Sequence, residues 1–294
     1  MIFPSDSTIA PIVTRFAPSP TGRLHLGHAF SAIQAHDFSR HRGGRFLLRI
    51  EDIDPGRTRE EHVAGIAEDL AWLGLGWDSD PIRQSARLPV YAAALDRLKA
   101  DGLVYPCFCT RAEIAASASA PHGPAGALYP GTCRGLGAAA RAARMAGEAH
   151  GWRIDMARAV AMAGPLTWHD QSAGTVVAMP AAQGDVVLAR KDAPISYHLA
   201  VTVDDAAQGV TDIVRGVDLF EATHVHRLLQ ALLGLATPRY HHHPLLTGAD
   251  GQRLAKRHGA PSLADMRAAG QAPGLLAAAL REGRTPVGFG VVQA

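Results

Sequence analysis

The chain has 294 residues, 47% of them apolar and 19% charged, with a formal net charge of +2. That composition suits a globular protein with core enough for one large domain or two modest ones. It contains no run of ~18 apolar residues, the length that spans a bilayer. No basic segment followed by an apolar one opens the sequence, so a cytoplasmic protein away from membranes is expected. The small net charge neither implies nor excludes nucleic acid, so an RNA-binding surface would have to be local.

In chain order, residues 1–11 read as a loose leader. An apolar run at 12–16 reads as a buried strand, and good helix formers follow at about 29–41. Between them lies Arg15-Phe16-Ala17-Pro18-Ser19-Pro20-Thr21-Gly22-Arg23-Leu24-His25-Leu26-Gly27-His28. Two prolines and two glycines make this a turn from strand to helix. In open α/β sheets such turns form the ligand crevice. The helix start offers unpaired N–H groups and a positive dipole end, both suited to phosphate. His25 and His28, three apart, point to one spot, and Gly27 is expected to leave room between them for a flat or bulky ligand.

A second buried strand is expected at 45–50, ending in Glu51, Asp52 and Asp54 before Pro55-Gly56. Val63, Ile66, Ala67, Leu70 and Leu73 recur at helical spacing, as do Leu88, Tyr91, Leu95 and Leu98. Strands alternating with helices of this length predict a doubly wound α/β parallel sheet. The pattern breaks at Cys107. Residues 107–150 are rich in Ala, Gly and Pro. Short β-prone runs at 175–179 and 185–188 are expected to complete an inserted subdomain. The α/β pattern then resumes, with a strand at 197–205 ending in acids and another at 212–216. A helix carries Val225, Leu228, Leu229, Leu232 and Leu233, and a basic turn follows at 253–257. The expected division is 1–106, first half of the catalytic domain; 107–190, the insertion; 191–259, second half with the basic loop; and 260–294, a short helical segment. No internal repeat is present.

Beyond the turn, three groups of residues could carry chemistry, and a fourth is weighed against it. Arg253, Lys256 and Arg257 lie on a glycine-flanked loop able to grip a triphosphate and follow its charge during reaction; a plain solvated loop is the alternative. Lysine is scarce here, with only Lys99, Lys191 and Lys256, so its presence in a motif carries weight. Arg15, Glu51, Tyr197 and Arg215 sit at or beside predicted strand ends. Together they suit a substrate with two carboxylates and an ammonium, since arginine binds carboxylate with two prongs and Glu51 suits the ammonium; the alternative for each alone is an ordinary salt-bridge partner. The three cysteines, Cys107, Cys109 and Cys133, are too few and too clustered for a disulfide framework and point to metal. A closed zinc site needs a fourth ligand, for which Tyr129 and His122 are the candidates; three reduced thiols without metal are the alternative. His241, His242 and His243 alternate faces on any strand and read as structural, with one of them near the crevice.

Six motifs in order resemble the catalytic domain of class I glutamyl-tRNA synthetases. They are Arg15 to Gly22, His25 to His28, Leu48 to Asp54, Tyr197 to Ala200, Ile213 to Gly216 and Leu254 to Arg257. The resemblance implies a Rossmann-type catalytic domain with an inserted zinc-containing α+β, acceptor-binding-like subdomain. It implies ATP with Mg²⁺ and formation of glutamyl-adenylate. By position, His25, His28 and Lys256 become the catalytic set. Arg15, Ser19, Glu51, Tyr197 and Arg215 become the glutamate pocket, with ATP on Pro18, Gly27, His28, Arg253 and Lys256. Glutaminyl enzymes typically carry Glu where Ser19 stands, which favours glutamate. Ala255 departs from the usual serine of the loop, and Arg253 keeps the charge of the usual lysine.

Full glutamyl enzymes continue into helical anticodon-binding domains, for which the 35 residues after Gly259 leave no room. This resembles the truncated branch, the glutamyl-queuosine tRNA(Asp) synthetases. In that branch Cys107, Cys109, Tyr129 and Cys133 match one structural zinc site. The branch implies transfer of glutamate to the queuosine base at the wobble position of tRNA(Asp), with the anticodon loop as partner and activation that needs no tRNA. A monomer is expected. The rival readings are a short glutamyl-tRNA synthetase charging a 3′ end, an H-x-G-H nucleotidyltransferase, and an inactive paralogue that only binds amino acid or RNA.

Overall fold

A computed structural model describes residues 11–110, 112–114, 122–123, 126–248, 261–282 and 289–292. The expected basic loop with Arg253, Ala255 and Lys256 lies outside the described residues, as does the leader over 1–10.

Three parallel strands, Val13–Phe16, Arg45–Ile50 and Ile82–Arg83, form one sheet with Arg45–Ile50 central. Asp212–Gly216 and Arg239–His243 pair in parallel in a second sheet, which continues through Thr167–Asp170 to Gly174–Val177. The two sheets meet edge to edge. Thr211 N donates to Val13 O (3.0 Å), and Val13 N donates to the Thr211 hydroxyl (2.9 Å). From Val13–Phe16 the chain leaves toward Arg45–Ile50 on one side, whereas Asp212–Gly216 leaves toward Arg239–His243 on the other. The junction is therefore a topological switch point, where doubly wound sheets bind ligands.

Helix Leu26–Arg40 crosses from the first strand to the second. It buries Leu26, Ala29, Phe30, Ala32 and Ile33, of which each large side chain contributes on the order of 2 kcal/mol of apolar burial. Helices Glu60–Trp72 and Leu88–Ala100 form where the apolar spacing predicts them. No helix among the described residues is long and apolar enough to cross a membrane.

Two expectations need correction. The run read as a strand at 197–205 is a helix, Tyr197–Ala207. It is buried on nearly all sides, so its apolar residues are continuous and show no helical period; a short run of this kind does not distinguish strand from helix. Its acids point into the core. Asp204 accepts from Gln84 Nε2 (2.9 Å), the Tyr91 hydroxyl (2.7 Å) and Arg87 Nε (2.7 Å). The β-prone run near 175–179, grouped with the insertion, instead forms Gly174–Val177, which pairs with Thr167–Asp170 and through it with Arg239–His243. The burial alternation of Thr167–Asp170 explains this. Trp168 and Asp170 point inward, and Trp168 packs edge-on against Phe220 and Tyr240 of the second half. A separate antiparallel sheet of Val104–Cys107, Gly151–Ile154 and Val187–Ala189 carries the inserted residues.

Candidate active site

A cavity of about 850 Å³ opens at the carboxyl ends of Val13–Phe16 and Asp212–Gly216, at the switch point. Arg15, Pro18, Ser19, His25, Gly27, His28, Glu51, Tyr197 and Arg215 all line it. Every described residue expected to bind glutamate or ATP therefore lines this cavity. Lys256 and Arg253 lie outside the described residues.

The start of the first helix fixes both histidines of the turn. His25 is the N-cap, and its Nδ1 accepts from Gly27 N (3.1 Å); His28 Nδ1 accepts from His25 N (3.2 Å). Each Nδ1 therefore carries a lone pair, which places the hydrogen of the neutral ring on Nε2. The two rings lie 3.8 Å apart. A Cβ on Gly27 would stand 3.0 Å from His25 Cε1. Gly27 lines the cavity, and the missing Cβ lets the His25 ring pack close beside it. At the far wall Gly216 has a similar reason, since a Cβ would meet the Asp218 carboxylate at 2.5 Å.

Arg15, 5% exposed, is held by a protein carboxylate. Its Nε and Nη2 donate to the two oxygens of Asp205 at 2.9 and 3.4 Å. Asp205 also accepts from Arg49 Nη1 (2.8 Å), and Arg49 Nη2 donates to Glu51 Oε1 (3.3 Å). Arg49 is fully buried, in the middle of an apolar strand. Burial pushes the Glu51 carboxyl above its ordinary range, against the pull of Arg49 and Arg15. Burial works on Asp205 in the same direction, but Arg15 and Arg49 together hold its carboxyl below the ordinary value. Burial also raises the Tyr197 phenol, which stays protonated as a hydrogen-bond donor.

Arg215, 4% exposed, has different company. Its Nε donates to His242 Nε2 (3.2 Å) and its Nη1 to His226 Nδ1 (3.3 Å). Its Nη2 donates to Leu219 O (3.1 Å) and the Thr223 hydroxyl (2.6 Å). No carboxylate among the described residues lies within ion-pair distance of it.

A second cavity of about 630 Å³ shares Ser19, Glu51, Arg57 and Tyr197 with the first and reaches Tyr129 and Arg153 of the inserted region. There the three cysteine sulfurs lie within 4.8 Å of one another. Cys109 Sγ is 3.5 Å from Cys133 Sγ, and the Tyr129 hydroxyl is 3.5 Å from Cys107 Sγ and 3.7 Å from Cys109 Sγ. Zinc bound tetrahedrally at ~2.3 Å would separate sulfurs by roughly 3.8 Å, so three thiolates and the phenol oxygen fit such an ion. Arg153 lies over the Tyr129 ring (4.0 Å) and donates to Cys107 Sγ (3.3 Å), an outer contact that orients the cluster.

Of the consecutive histidines, His241 turns to Asp212 (2.8 Å), His242 to Arg215, and His243 lines the cavity with Nε2 3.1 Å from the Ser31 hydroxyl. Sequence reasoning missed Arg49, Asp205, Asp170 and His226. The available signal was a charge inside an apolar run, as at Arg49 and at Asp204-Asp205, since such charges persist in cores only when paired.

The family model for tRNA synthetases class I (E and Q), catalytic domain, matches residues 11–289. The glutamyl-Q tRNA(Asp) synthetase of Rhodobacter capsulatus is 51% identical over 89% of this chain and 97% of its own length. That of Symbiobacterium thermophilum is 48% identical over 88% and 82%. A crystal structure of a glutamate tRNA ligase from Elizabethkingia meningosepticum in complex with its amino acid superposes with a TM-score of 0.71 at 28% identity. It matches 84% of this chain, which spans about half (52%) of that ligase.

Proposed function

The chain belongs to the class I tRNA synthetases of the glutamyl and glutaminyl kind, and on that premise we propose that it activates glutamate with ATP and transfers it to the queuosine base of tRNA(Asp). The observation that carries the amino-acid assignment is Arg215, a buried guanidinium with no carboxylate partner among the described residues, on the wall of the switch-point cavity. A buried cation of this kind is stabilised by an anion from the ligand. The side-chain carboxylate of glutamate is assigned to it, and the ammonium to Glu51. Arg15, already neutralised by Asp205, is left to orient the backbone end.

In the first step an oxygen of the glutamate α-carboxylate attacks the α-phosphorus of ATP, which enters with Mg²⁺. The α–β phosphoanhydride bond breaks and pyrophosphate leaves. The helix start at Leu26 and the Nε2–H groups of His25 and His28 suit phosphate oxygens, and Lys256 is assigned to the same charge. In the second step a hydroxyl of the queuosine cyclopentene ring attacks the adenylate carbonyl. An ester forms, AMP leaves and the hydroxyl proton goes to solvent or phosphate. No protein nucleophile is required, so positioning and electrostatics supply the catalysis. The second cavity, which shares Ser19 and Tyr197 with the first, is the side from which the anticodon loop would enter, since splayed single-stranded bases are the usual targets of RNA recognition.

The test is glutamate-dependent ATP–pyrophosphate exchange without RNA, followed by glutamate transfer to queuosine-containing tRNA(Asp). Exchange that begins only when tRNA(Glu) is added would replace this reading with a short charging enzyme. Cys107, Cys109, Tyr129 and Cys133 are proposed to hold one structural zinc ion. Cys109→Ala is expected to lower bound zinc and thermal stability, and metal-free purified wild type by elemental analysis would remove the ion from the account.

A further inference from the structure

We propose that His226 and His242 form an uncharged cage that leaves the full charge of Arg215 to a ligand carboxylate, and that this cage sets the preference for glutamate over glutamine. The inference rests on the glutamate reading above and names the positioning residues behind it.

A guanidinium has five N–H donors and no acceptor. Four of those of Arg215 go to His242, His226, Leu219 O and Thr223. One N–H, on Nη1, is left for the cavity. None of the four partners is anionic. Because arginine only donates, His226 Nδ1 and His242 Nε2 must both present lone pairs. The rest of the chain follows from this. His242 Nδ1 bears the hydrogen and donates to Asp170 (2.8 Å). His226 bears its hydrogen on Nε2 and donates to His198 Nδ1 (3.2 Å). Asp170 is itself fixed by the backbone N–H groups of Ser172 and Ala173 (2.9 and 3.0 Å). Asp170, which only accepts, thus locks the His242 tautomer, while Arg215 itself sets that of His226 and His198 Nδ1 accepts from it.

The protonation behaviour agrees. Burial and the nearby charge of Arg215 push His226 well below the ordinary imidazole value, and bring His242 and His198 down to about 4. Arg15 is the internal control, since it has the usual solution, a carboxylate partner, and its charge is already matched. A carboxylate at position 226 or 242 would do the same to Arg215. The cavity would then meet a neutral pair, with nothing to choose an anionic carboxylate over a neutral carboxamide.

The test uses isosteric pairs in the full-length chain. Asparagine places Oδ1 near the position of histidine Nδ1, so His226→Asn keeps an uncharged acceptor and His226→Asp adds only charge. Glutamate and glutamine dissociation constants are measured by calorimetry, alongside ATP–pyrophosphate exchange. His226→Asn is expected to weaken glutamate a few-fold. His226→Asp is expected to weaken it by roughly 10–100-fold, the range of a charge-assisted hydrogen bond, with much less effect on glutamine and on the exchange rate at saturation. Equal glutamate affinities for the Asn and Asp variants would overturn the cage. If His226→Asp does not fold, His242→Gln against His242→Glu makes the same comparison at Nε2. Wild type that binds glutamate but gives no exchange would overturn the functional reading and leave the cage to be judged by the affinities alone.

Discussion

The two arginines that line the cavity are buried to nearly the same degree and treated in opposite ways. Arg15 is clamped by Asp205, which is shared with Arg49 and backed by Glu51. Arg215 is held by two imidazoles, a hydroxyl and a carbonyl. The first wall balances its charge within the protein and contributes to folding. The second leaves its charge to the ligand, which costs stability in the free protein and gains specificity on binding. Stability and recognition are thus divided between these two arginines.

The sharpest way to break this division is to remove Asp205. Asp205→Ala leaves Arg15 without its carboxylate, and leaves Arg49 with Glu51 (3.3 Å) and Asp204 (3.9 Å). Breaking a buried ion pair from one side costs about 3–5 kcal/mol. A loss of that size in urea unfolding is expected, and a loss under about 1 kcal/mol would mean that this wall is not held by its charges. Arg215→Ala should behave in the opposite way. No described carboxylate depends on Arg215, and the loss of its four donors to buried acceptors is offset by removal of an unmatched buried charge, so the stability loss should stay well below that of Asp205→Ala, at about 1–2 kcal/mol. Glutamate affinity should fall by roughly 10–100-fold, the loss of a charge-assisted contact. A large stability loss for Arg215→Ala would make it a structural residue like Arg15.

Acid should separate the walls as well. His198 and His242 fall to about 4, and His226 is lowered too, so in the folded protein these groups take up protons later than in the unfolded chain. Their contribution to stability is complete above about pH 6.5. It is lost as pH falls from there toward 4, at up to about 1.4 kcal/mol per pH unit for each proton. Asp205, whose folded value is depressed, contributes above the ordinary carboxylate value and loses that contribution only as pH falls below it. The histidine wall should therefore weaken first. Urea unfolding at pH 7, 5.5 and 4.5 checks this, with a shallower slope expected for His226→Asn. A flat profile down to pH 4.5 would show that the imidazoles are not held neutral.

How much of this division was legible in the sequence follows from which interactions are local. The turn from Arg15 to His28 and the helical spacing of Val63, Ile66, Leu70 and Leu73 are local patterns, and they place the cavity and one face of its fold. Arg15, Glu51, Tyr197 and Arg215 were found as charges and a phenol near the ends of apolar runs. Their partners were not legible, because each pairing spans a long stretch of chain. Arg15 meets Asp205 across 190 residues, and His242 meets Asp170 across 72. Reading 197–205 as a strand also hid Asp205. A strand would have placed Asp204 and Asp205 on opposite faces, whereas the helix buries both. Assigning the β-prone run after Asp170 to the insertion likewise hid the support of His242, since that hairpin belongs to the sheet that carries Arg215.

The smallest effect tests the outermost support of the second wall. Asp170 Oδ1 accepts from two backbone N–H groups and Oδ2 accepts from His242. An asparagine at 170 has one acceptor oxygen for these two duties. If its oxygen stays with the backbone N–H groups, its NH₂ faces His242 Nδ1 and demands a lone pair there. His242 must then move its hydrogen to Nε2, where it opposes the Arg215 Nε–H. If the amide turns the other way, two backbone donors lose their acceptor. Either arrangement costs about 1 kcal/mol or somewhat more. Asp170→Asn is therefore expected to weaken glutamate by roughly 5–10-fold, with glutamine less affected. An Asp170→Asn variant that weakens both amino acids equally would show that Asp170 only supports the strand, and that the tautomer of His242 is set by Arg215 alone.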